Sequence, residues 1–234
     1  TECDNAFFIG SYARGTEILQ YNINILYVVP HKYIFLQDDM MKLHKLIEQA
    51  FEPEYEVQTI TKSKFLKVCS PDRISYKLLL AYINADNSYT YKLSPESNLW
   101  SVTKPIDEID EYKKVNEQNS GIPNQIAKLL RLWKYSNNID CSGYLLDTLV
   151  YHYFKQSNES NISCTSLSAC LRGCMQFIAS QPPEKYFWLS PGAKHYVVKT
   201  SDIASLMKSS LESCDSENAS FNDFILKTLN KKKF

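Results

Sequence analysis

The sequence has no excess of either charge and no long apolar run. Lysine plus arginine and aspartate plus glutamate number 26 each, so the formal net charge is zero. A neutral chain argues against a general coat for nucleic acid and against a membrane-surface protein, although a local basic groove is compatible with it. No apolar run approaches the roughly 18 to 20 residues of a transmembrane helix. Because no signal peptide is recognisable either, we expect a cytoplasmic protein without a membrane partner.

Metal-binding cysteine and histidine patterns are also missing. The seven cysteines include no CxxC, and no histidine stands near them at zinc-finger spacing. Cys170 and Cys174 are spaced i, i+4 and could pair on one helix face. We nevertheless interpret the cysteines as reduced cytosolic thiols, many of them buried as small apolar residues. His44 is interpreted as a surface residue. None of the four histidines belongs to a recognisable Ser-His-Asp set. They are His31, His44, His152 and His195.

The composition that is present predicts a folded chain with two different halves. Apolar residues make up 44% and aromatic residues 13% of 234, enough for a real core. Short β-branched runs predict strands at 6–9, 23–29, 55–60, 64–69, 74–83 and 89–93, and helical periodicity predicts a helix at 38–51. Helices are then predicted at 105–119, 126–135, 144–154, 167–180, 203–211 and 221–229, with a loop at 157–163. We therefore predict an α/β (α+β) fold, with a mixed sheet in residues 1–104 and a mainly helical domain in residues 105–234.

One stretch, residues 10–29 (GSYARGTEILQYNINILYVV), carries most of the functional information. The turn at Gly10 and Ser11 is predicted to offer backbone N–H groups and a hydroxyl to a phosphate at a helix start. In the following strand Asn22 and Asn24 project from the same face, about 6 to 7 Å apart. Nucleotidyl transfer uses two carboxylates at this spacing, with a third from a neighbouring strand, to hold two Mg²⁺ ions.

The segment GSYARGT at 10–16, followed by that strand, resembles the cGAS/DncV-like nucleotidyltransferases (CD-NTases), bacterial relatives of cyclic GMP-AMP synthase. Later segments resemble the same family in the same order: 88–105 (SYTYKLSPESNLWSVTKP), 128–134 (KLLRLWK) with 142–150 (SGYLLDTLV), and 181–192 (QPPEKYFWLSPG). The resemblance implies a polymerase-β-like nucleotidyltransferase core, a helical second domain and nucleotides between them. The activity it implies is the joining of nucleoside triphosphates into cyclic di- or trinucleotides in anti-phage (CBASS) signalling.

The resemblance also implies that the metal-binding acids are missing. The family's first two aspartates fall on Asn22 and Asn24, and the third acid falls on Lys77. Asp72 and Asp86 are the nearest carboxylates, but they lie in turns at the strand ends. An ammonium about 4 Å from Mg²⁺ is repelled by roughly 8 kcal/mol at an effective dielectric near 20. We therefore expect catalysis to be lost and no metal cofactor as written, with Mg²⁺ expected only if the native protein carries the acids.

Nucleotide binding is nevertheless expected to persist without metal. Gly10, Ser11 and Lys77, as a replacement counter-charge, are predicted to hold a triphosphate or a cyclic nucleotide. The alternative is that Lys77 extends to solvent from a decayed cleft. Three positions of the helical domain resemble family contacts to the triphosphate: Lys128, Arg131 and Ser142. Their ordinary alternatives are solvated helix charges and an N-cap serine.

Three functions fit these residues. The favoured one is a pseudoenzyme that binds nucleotide, a cyclic oligonucleotide or a protein partner such as an active homologue. The second is an Asp-to-Asn active-site variant of a cyclic di- or trinucleotide synthase, which leaves the charge reversal at Lys77 unexplained. A relative of poly(A) or CCA-adding polymerases keeps the same Gly-Ser turn, but a neutral chain without a basic run for RNA weighs against it. Arg14 is expected to pair with local acids. Tyr144 could stack on a nucleotide base, but a buried tyrosine is the favoured interpretation.

Overall fold

The structure is a computed structural model that describes residues 5–18, 22–37, 39–52, 54–72, 74–159, 166–192 and 195–216. The chain divides into two compact units. The first comprises residues 1–13 and 19–106, and the second comprises residues 14–18 and 107–234. The helix predicted at 221–229 lies outside the described residues. Within the described ranges, no helix combines the length and apolar character needed to cross a membrane.

The first unit is built on a seven-stranded mixed sheet. Its strands are β1 (Ala6–Ile9), β2 (Asn22–Val28), β3 (Glu56–Thr59), β4 (Phe65–Cys69), β5 (Ser75–Ile83), β6 (Tyr89–Lys92) and β7 (Trp100–Thr103). The order is β1-β2-β5-β4-β3, with β6 paired to the end of β5 and β7 paired to β6. Strands β2 and β5 run parallel, and the other pairs are antiparallel. The predicted mixed α/β fold is confirmed, although β7 was not predicted.

The two faces of this sheet bury different apolar sets because side chains alternate along each strand. One face carries Leu66, Val68, Leu78 and Leu80, which pack against helix α2 (Met40–Phe51). Asp39 caps that helix by accepting a hydrogen bond from the Lys42 N–H at 3.0 Å. The opposite face carries a second cluster: Ile9, Leu26, Leu79, Ala81, Tyr89 and Tyr91. A short helix, α1 (Gly10–Arg14), follows β1 directly.

His44 is buried, so its assignment to the surface was wrong. Its side chain is only 2% exposed, and the Thr59 hydroxyl lies 3.5 Å from its Nδ1. Burial lowers the pKa of His44 to about 4, because removal from water disfavours the charged imidazolium. The position follows Leu43 on α2, and the buried stripe of that helix is wide enough to include both residues.

The second unit is mainly helical. Its helices are α3 (Pro105–Gln118, which starts in the first unit), α4 (Ile122–Ser136), α5 (Gly143–Glu159), α6 (Leu167–Ala179) and α7 (Ile203–Ser216). A hairpin of β8 (Phe187–Leu189) and β9 (Tyr196–Val198), which was not predicted, packs Trp188 and Val197 on this core. The largest fully buried side chains of the core include Trp133, Tyr112 and Phe154.

Two details of the second unit differ from the sequence prediction. Helix α5 continues to Glu159, past the predicted start of a loop at residue 157. The Ser157 hydroxyl donates to the Tyr153 carbonyl at 2.8 Å, so this polar residue is satisfied inside the helix. Cys170 is disulfide-bonded, whereas Cys174 is a free thiol whose pKa is raised by complete burial. The two cysteines therefore do not pair with each other, and Cys170 is not a reduced thiol.

Candidate functional site

A polar end interrupts the second apolar face of the sheet. Along β2 the apolar positions give way to Asn24, and along β5 they give way to Lys77. Asn24 and Lys77 are Cα partners in the parallel β2–β5 pair, and both are half-buried. Strand register also places position 22 beside Ser75. The positions expected from the resemblance to replace three acids thus lie on two adjacent strands.

The turn at Gly10 lies directly against this polar end. Ile9 pairs with Asn24 across β1 and β2, and Gly10 follows with a φ of +70°. A Cβ at Gly10 would come within 2.9 Å of the Asn24 Nδ2 atom. The positive φ favours glycine here, and an added Cβ would also displace the Asn24 amide. Ser11, the next residue of α1, is half-buried.

The donor set at this end does not suit Mg²⁺. Mg²⁺ prefers several oxygen ligands with negative charge, whereas Asn24 is neutral and Lys77 is a cation. Ser75 lies on the same face, is 9% exposed, and its Oγ has no hydrogen-bond partner among the described residues. Among the residues that the structure describes, no group of three or more His, Cys, Asp or Glu side chains is placed to hold a metal ion.

The two nearby acids are engaged in the turns where they stand. The Ile74 N–H donates to the Asp72 carboxylate at 3.2 Å, and Asp72 is exposed. The Ser88 hydroxyl donates to Asp86 at 2.6 Å, and Lys104 lies 3.0 Å from the other carboxylate oxygen. The hydrogen bond from Ser88, with help from Lys104, lowers the pKa of Asp86 to about 2. Neither carboxylate belongs to the row of Asn24 and Lys77.

A buried ionic network occupies the second unit, centred on Asp147 of α5. This carboxylate is fully buried, and it accepts hydrogen bonds from Arg14 (Nη2, 2.9 Å), from the Thr16 hydroxyl (2.8 Å) and from Arg131 (Nη2, 2.7 Å). Arg131 also donates from Nε to the other carboxylate oxygen at 2.9 Å. A buried carboxylate is stable only when it is paired and hydrogen-bonded in this way. Arg14 therefore pairs with an acid, but with one 133 residues away rather than a local one.

Glycine makes room for Arg131 at the start of α5. A Cβ at Gly143 would stand 2.2 Å from the Arg131 Nη1 atom, so the guanidinium lies across the glycine. Burial alone would lower the pKa of Arg131, but the charge and hydrogen bonds of Asp147 raise it above its ordinary range. Arg14 also stacks on Tyr144, with its guanidinium carbon 4.7 Å from the ring centroid. Burial, and then the charge of Glu108, raise the pKa of Tyr144.

The other two positions of the helical domain have simpler surroundings. The Ser142 hydroxyl accepts a hydrogen bond from the Leu145 N–H at 3.0 Å, as an N-cap serine does. Lys128 lies 3.8 Å from a Glu17 carboxylate oxygen, and its side chain is 43% exposed. Lys128, Arg131 and Ser142 all lie in the second unit, whereas Gly10, Ser11, Asn24 and Lys77 lie in the first.

Sequence reasoning missed one cation at the polar end. Strand β5 has β2 on one side and β4 on the other. Lys77 therefore has two Cα partners, Asn24 on β2 and Lys67 on β4, and the three residues form one row across three strands. It also missed Asp147, which stands in an apolar helix segment. Neither residue carries a local sequence signal. The strand register alone places Lys67 in the row, and folding brings the two arginines to Asp147.

No protein-family model and no curated protein sequence matches this chain. Solved structures match it over most of its length. The CdnE cyclic dinucleotide synthase of Elizabethkingia meningoseptica with GTP and Apcpp has a TM-score of 0.66 at 14% identity, covering 89% of this chain and 83% of that one. The E. coli CdnC:HORMA-deltaN complex has a TM-score of 0.71 at 11% identity, covering 97% of this chain and 81% of that one. Vibrio cholerae DncV cyclic AMP-GMP synthase with a linear intermediate has a TM-score of 0.70 at 11% identity, covering 96% of this chain and 67% of that one. The fold implied by the resemblance is therefore confirmed.

Proposed function

We propose that this chain is a CD-NTase-like protein of bacterial anti-phage signalling that binds nucleotide but does not make a cyclic messenger. In this proposal it is a cytoplasmic pseudo-nucleotidyltransferase. It holds a nucleoside triphosphate or a cyclic oligonucleotide, or engages a protein partner such as an active homologue. The shared fold and the intact Gly10-Ser11 turn support nucleotide binding. The amide and ammonium groups at the positions of the acids support the loss of two-metal chemistry.

The observation that carries the proposal is the pairing of Asn24 with Lys77. A slip of one residue on β5 would put Tyr76 or Leu78 at this position. Both of these side chains belong to the opposite face, where they pack with the cluster beneath α2. Lys77 is therefore the β5 residue that shares a face and a row with Asn24. This placement favours the pseudoenzyme over a simple Asp-to-Asn variant of a synthase, because two such substitutions would leave the lysine unexplained.

The chemistry of the polar end favours an anion rather than a cation. The Lys77 ammonium supplies a positive charge beside the amide donor of Asn24, and the turn adds the Ser11 hydroxyl and backbone N–H groups. Charge-assisted hydrogen bonds to phosphate are about twice as strong as neutral ones. In this arrangement the ammonium replaces the metal as the counter-charge for a phosphate. The proposal includes no bond made or broken, because Asn24, Lys77 and Ser75 are not carboxylates that could bind a metal or take the proton of an attacking hydroxyl.

For the second unit we propose contacts of two kinds. Lys128 and Ser142 contact a phosphate group of bound nucleotide, since Lys128 has a loose contact with Glu17 and the Ser142 hydroxyl can still donate a hydrogen bond. Arg131 acts as a positioning residue, because its Nε and Nη2 atoms already bind Asp147 and its Nη1 lies against Gly143.

The proposal is tested by two measurements on the same preparation. Incubation with the four ribonucleoside triphosphates in Mg²⁺ or Mn²⁺ should give no linear or cyclic product by ion-exchange chromatography. Calorimetric titration of ATP and GTP in EDTA should show binding. A metal-dependent cyclic product would overturn the loss of catalysis. Failure of both nucleotides to bind at millimolar concentration would overturn the nucleotide-binding role.

A further inference from the structure

Two lysines face each other at the polar end of the sheet. Lys67 on β4 and Lys77 on β5 are Cα partners in an antiparallel pair, so their Cβ atoms stand on the same face about 5 Å apart. Both side chains are half-buried. The row continues from Asn24 through Lys77 and Lys67 to Gln58 on β3. It therefore holds two cations and two neutral amides, with no acid.

Like charges directly opposite each other destabilise a sheet. A pair of this kind is tolerated when an acid or a bound anion lies between the two cations. In the part of the chain that the structure describes, neither Lys67 nor Lys77 forms an ion pair. The acid of this face closest in register is Glu56, diagonal to Lys67 on the outer strand β3, and it accepts a hydrogen bond from Gln58 at 2.7 Å. The pair thus has no internal counter-charge in its own row.

A second, independent feature of the same face indicates a ligand. Ser75 stands one row along from Lys77, is nine-tenths buried, and its Oγ has no hydrogen-bond partner among the described residues. Its register partner on β4 is Cys69, whose side chain is neutral. On the other side of Lys77, the Asn24 amide is held against Gly10. The unsatisfied Ser75 hydroxyl and the Asn24 amide can each donate a hydrogen bond beside the two ammonium groups, and no carboxylate stands in the row of Lys67 and Lys77 to accept one.

We propose that Lys67 and Lys77 form a dilysine site that binds the polyphosphate chain of a nucleotide without metal. This inference rests on the proposed function and narrows its ligand. Two ammonium groups on adjacent strands are compensated best by adjacent negative charges on one ligand. A triphosphate offers these, whereas a cyclic oligonucleotide carries single charges that are separated by sugars. The site therefore selects a nucleoside triphosphate, or inorganic tripolyphosphate, over the cyclic product.

The test uses the full chain in EDTA, with inorganic tripolyphosphate, inorganic phosphate and ATP as probes. Lys67→Met keeps the apolar stem of the side chain and removes its charge. Lys67→Arg keeps the charge. Lys62→Met, at an exposed lysine of the same β3–β4 hairpin, is the matched control. Binding is followed by calorimetry, and stability by the shift in Tm.

Five results are expected. Tripolyphosphate raises the Tm of the wild type more than phosphate does at equal concentration. Lys67→Met lowers the affinity for tripolyphosphate and for ATP at least tenfold. Lys67→Arg keeps both affinities within about threefold of the wild type, and Lys62→Met has the affinities of the wild type. The Tm of ligand-free Lys67→Met lies above that of the wild type, because the repulsion is gone. Weaker binding by a more stable variant cannot be due to unfolding.

The contrary outcomes separate the two proposals. If the wild type binds ATP in EDTA and Lys67→Met binds it equally well, the dilysine site is wrong while the proposed function stands. A Tm of Lys67→Met below that of the wild type, or failure of this variant to fold, also contradicts an uncompensated lysine pair. If the wild type binds neither ATP nor tripolyphosphate at millimolar concentration, both proposals fail.

Discussion

Asn24 on β2 and Lys77 on β5 are register partners in a parallel pair of strands, and Gly10 lies against the Asn24 amide. An amide and an ammonium thus stand where the resemblance to CD-NTases places metal-binding aspartates. A cation at this position repels Mg²⁺ and attracts phosphate. This charge is the reason why the proposed function keeps nucleotide binding and gives up the two-metal mechanism.

Restoring three acids should restore metal binding, but restoring two should not. The variant Asn22→Asp/Asn24→Asp/Lys77→Asp changes the formal charge at these positions from one positive to three negative. We expect it to bind Mn²⁺ in the presence of ATP, measured by electron paramagnetic resonance. Asn22→Asp/Asn24→Asp alone keeps the ammonium, whose repulsion of a dication is roughly 8 kcal/mol at an effective dielectric near 20. Equal Mn²⁺ affinity of the double and triple variants would show that Lys77 does not oppose the metal.

A comparison of Gly10→Ala with Gly121→Ala should distinguish the effect of backbone strain from the effect of displacing the Asn24 amide. Gly10 and Gly121 both have positive φ, but a Cβ at Gly10 meets the Asn24 amide and a Cβ at Gly121 meets nothing within 4 Å. We expect Gly10→Ala and Gly121→Ala each to lower the free energy of unfolding by about 1 to 2 kcal/mol in urea. Only Gly10→Ala should also lower the affinity for ATP in EDTA, by at least threefold. Equal ATP affinity for both variants would argue that the turn does not take part in binding.

Asp147→Asn should be one of the most destabilising single changes in the second unit. It leaves the Arg14 and Arg131 guanidinium groups buried without their counter-charge. Loss of one partner from a buried ion pair costs about 3 to 5 kcal/mol, which urea unfolding would measure. Asp140→Asn, at an exposed aspartate, is the control and should change stability by less than about 0.5 kcal/mol. Similar values for the two variants would show that the network is not essential to the fold.

Much of the secondary structure could be predicted from periodicity, because α2, α4 and the β-branched strands bury continuous stripes. The predictions that failed concern contacts between residues far apart in the sequence, or residues at the edge of a buried stripe. His44 was assigned to the surface because periodicity marks the centre of a buried stripe better than its edge. Lys67 is one lysine among many until the β4–β5 register places it opposite Lys77. Asp147 lies within an apolar helix segment, and its partner Arg14 is 133 residues away in the sequence. Neighbouring residues carry no signal for either contact.

Stability should fall as the pH drops below neutrality, with His44 as a main cause. The pKa of His44 is about 4 in the folded protein and about 6.5 in the unfolded chain, so the unfolded state binds more protons between these values. The contribution is fully present above pH 6.5 and is lost as the pH falls towards 4, by about 2 to 3 kcal/mol. His44→Gln should flatten this dependence in urea unfolding, whereas His31→Gln, at an exposed histidine, should not. A pH profile unchanged by His44→Gln would contradict a buried neutral imidazole.

The most direct test is the dissociation constant of ATP measured by calorimetry in EDTA and again in excess Mg²⁺, for the wild type and for Lys77→Met. If an ammonium has taken over from the metal, the wild type binds in EDTA at least as tightly as in Mg²⁺. Lys77→Met then binds at least tenfold more weakly in EDTA. ATP binding by the wild type that appears only when Mg²⁺ is added, and is unaffected by Lys77→Met, would contradict the account.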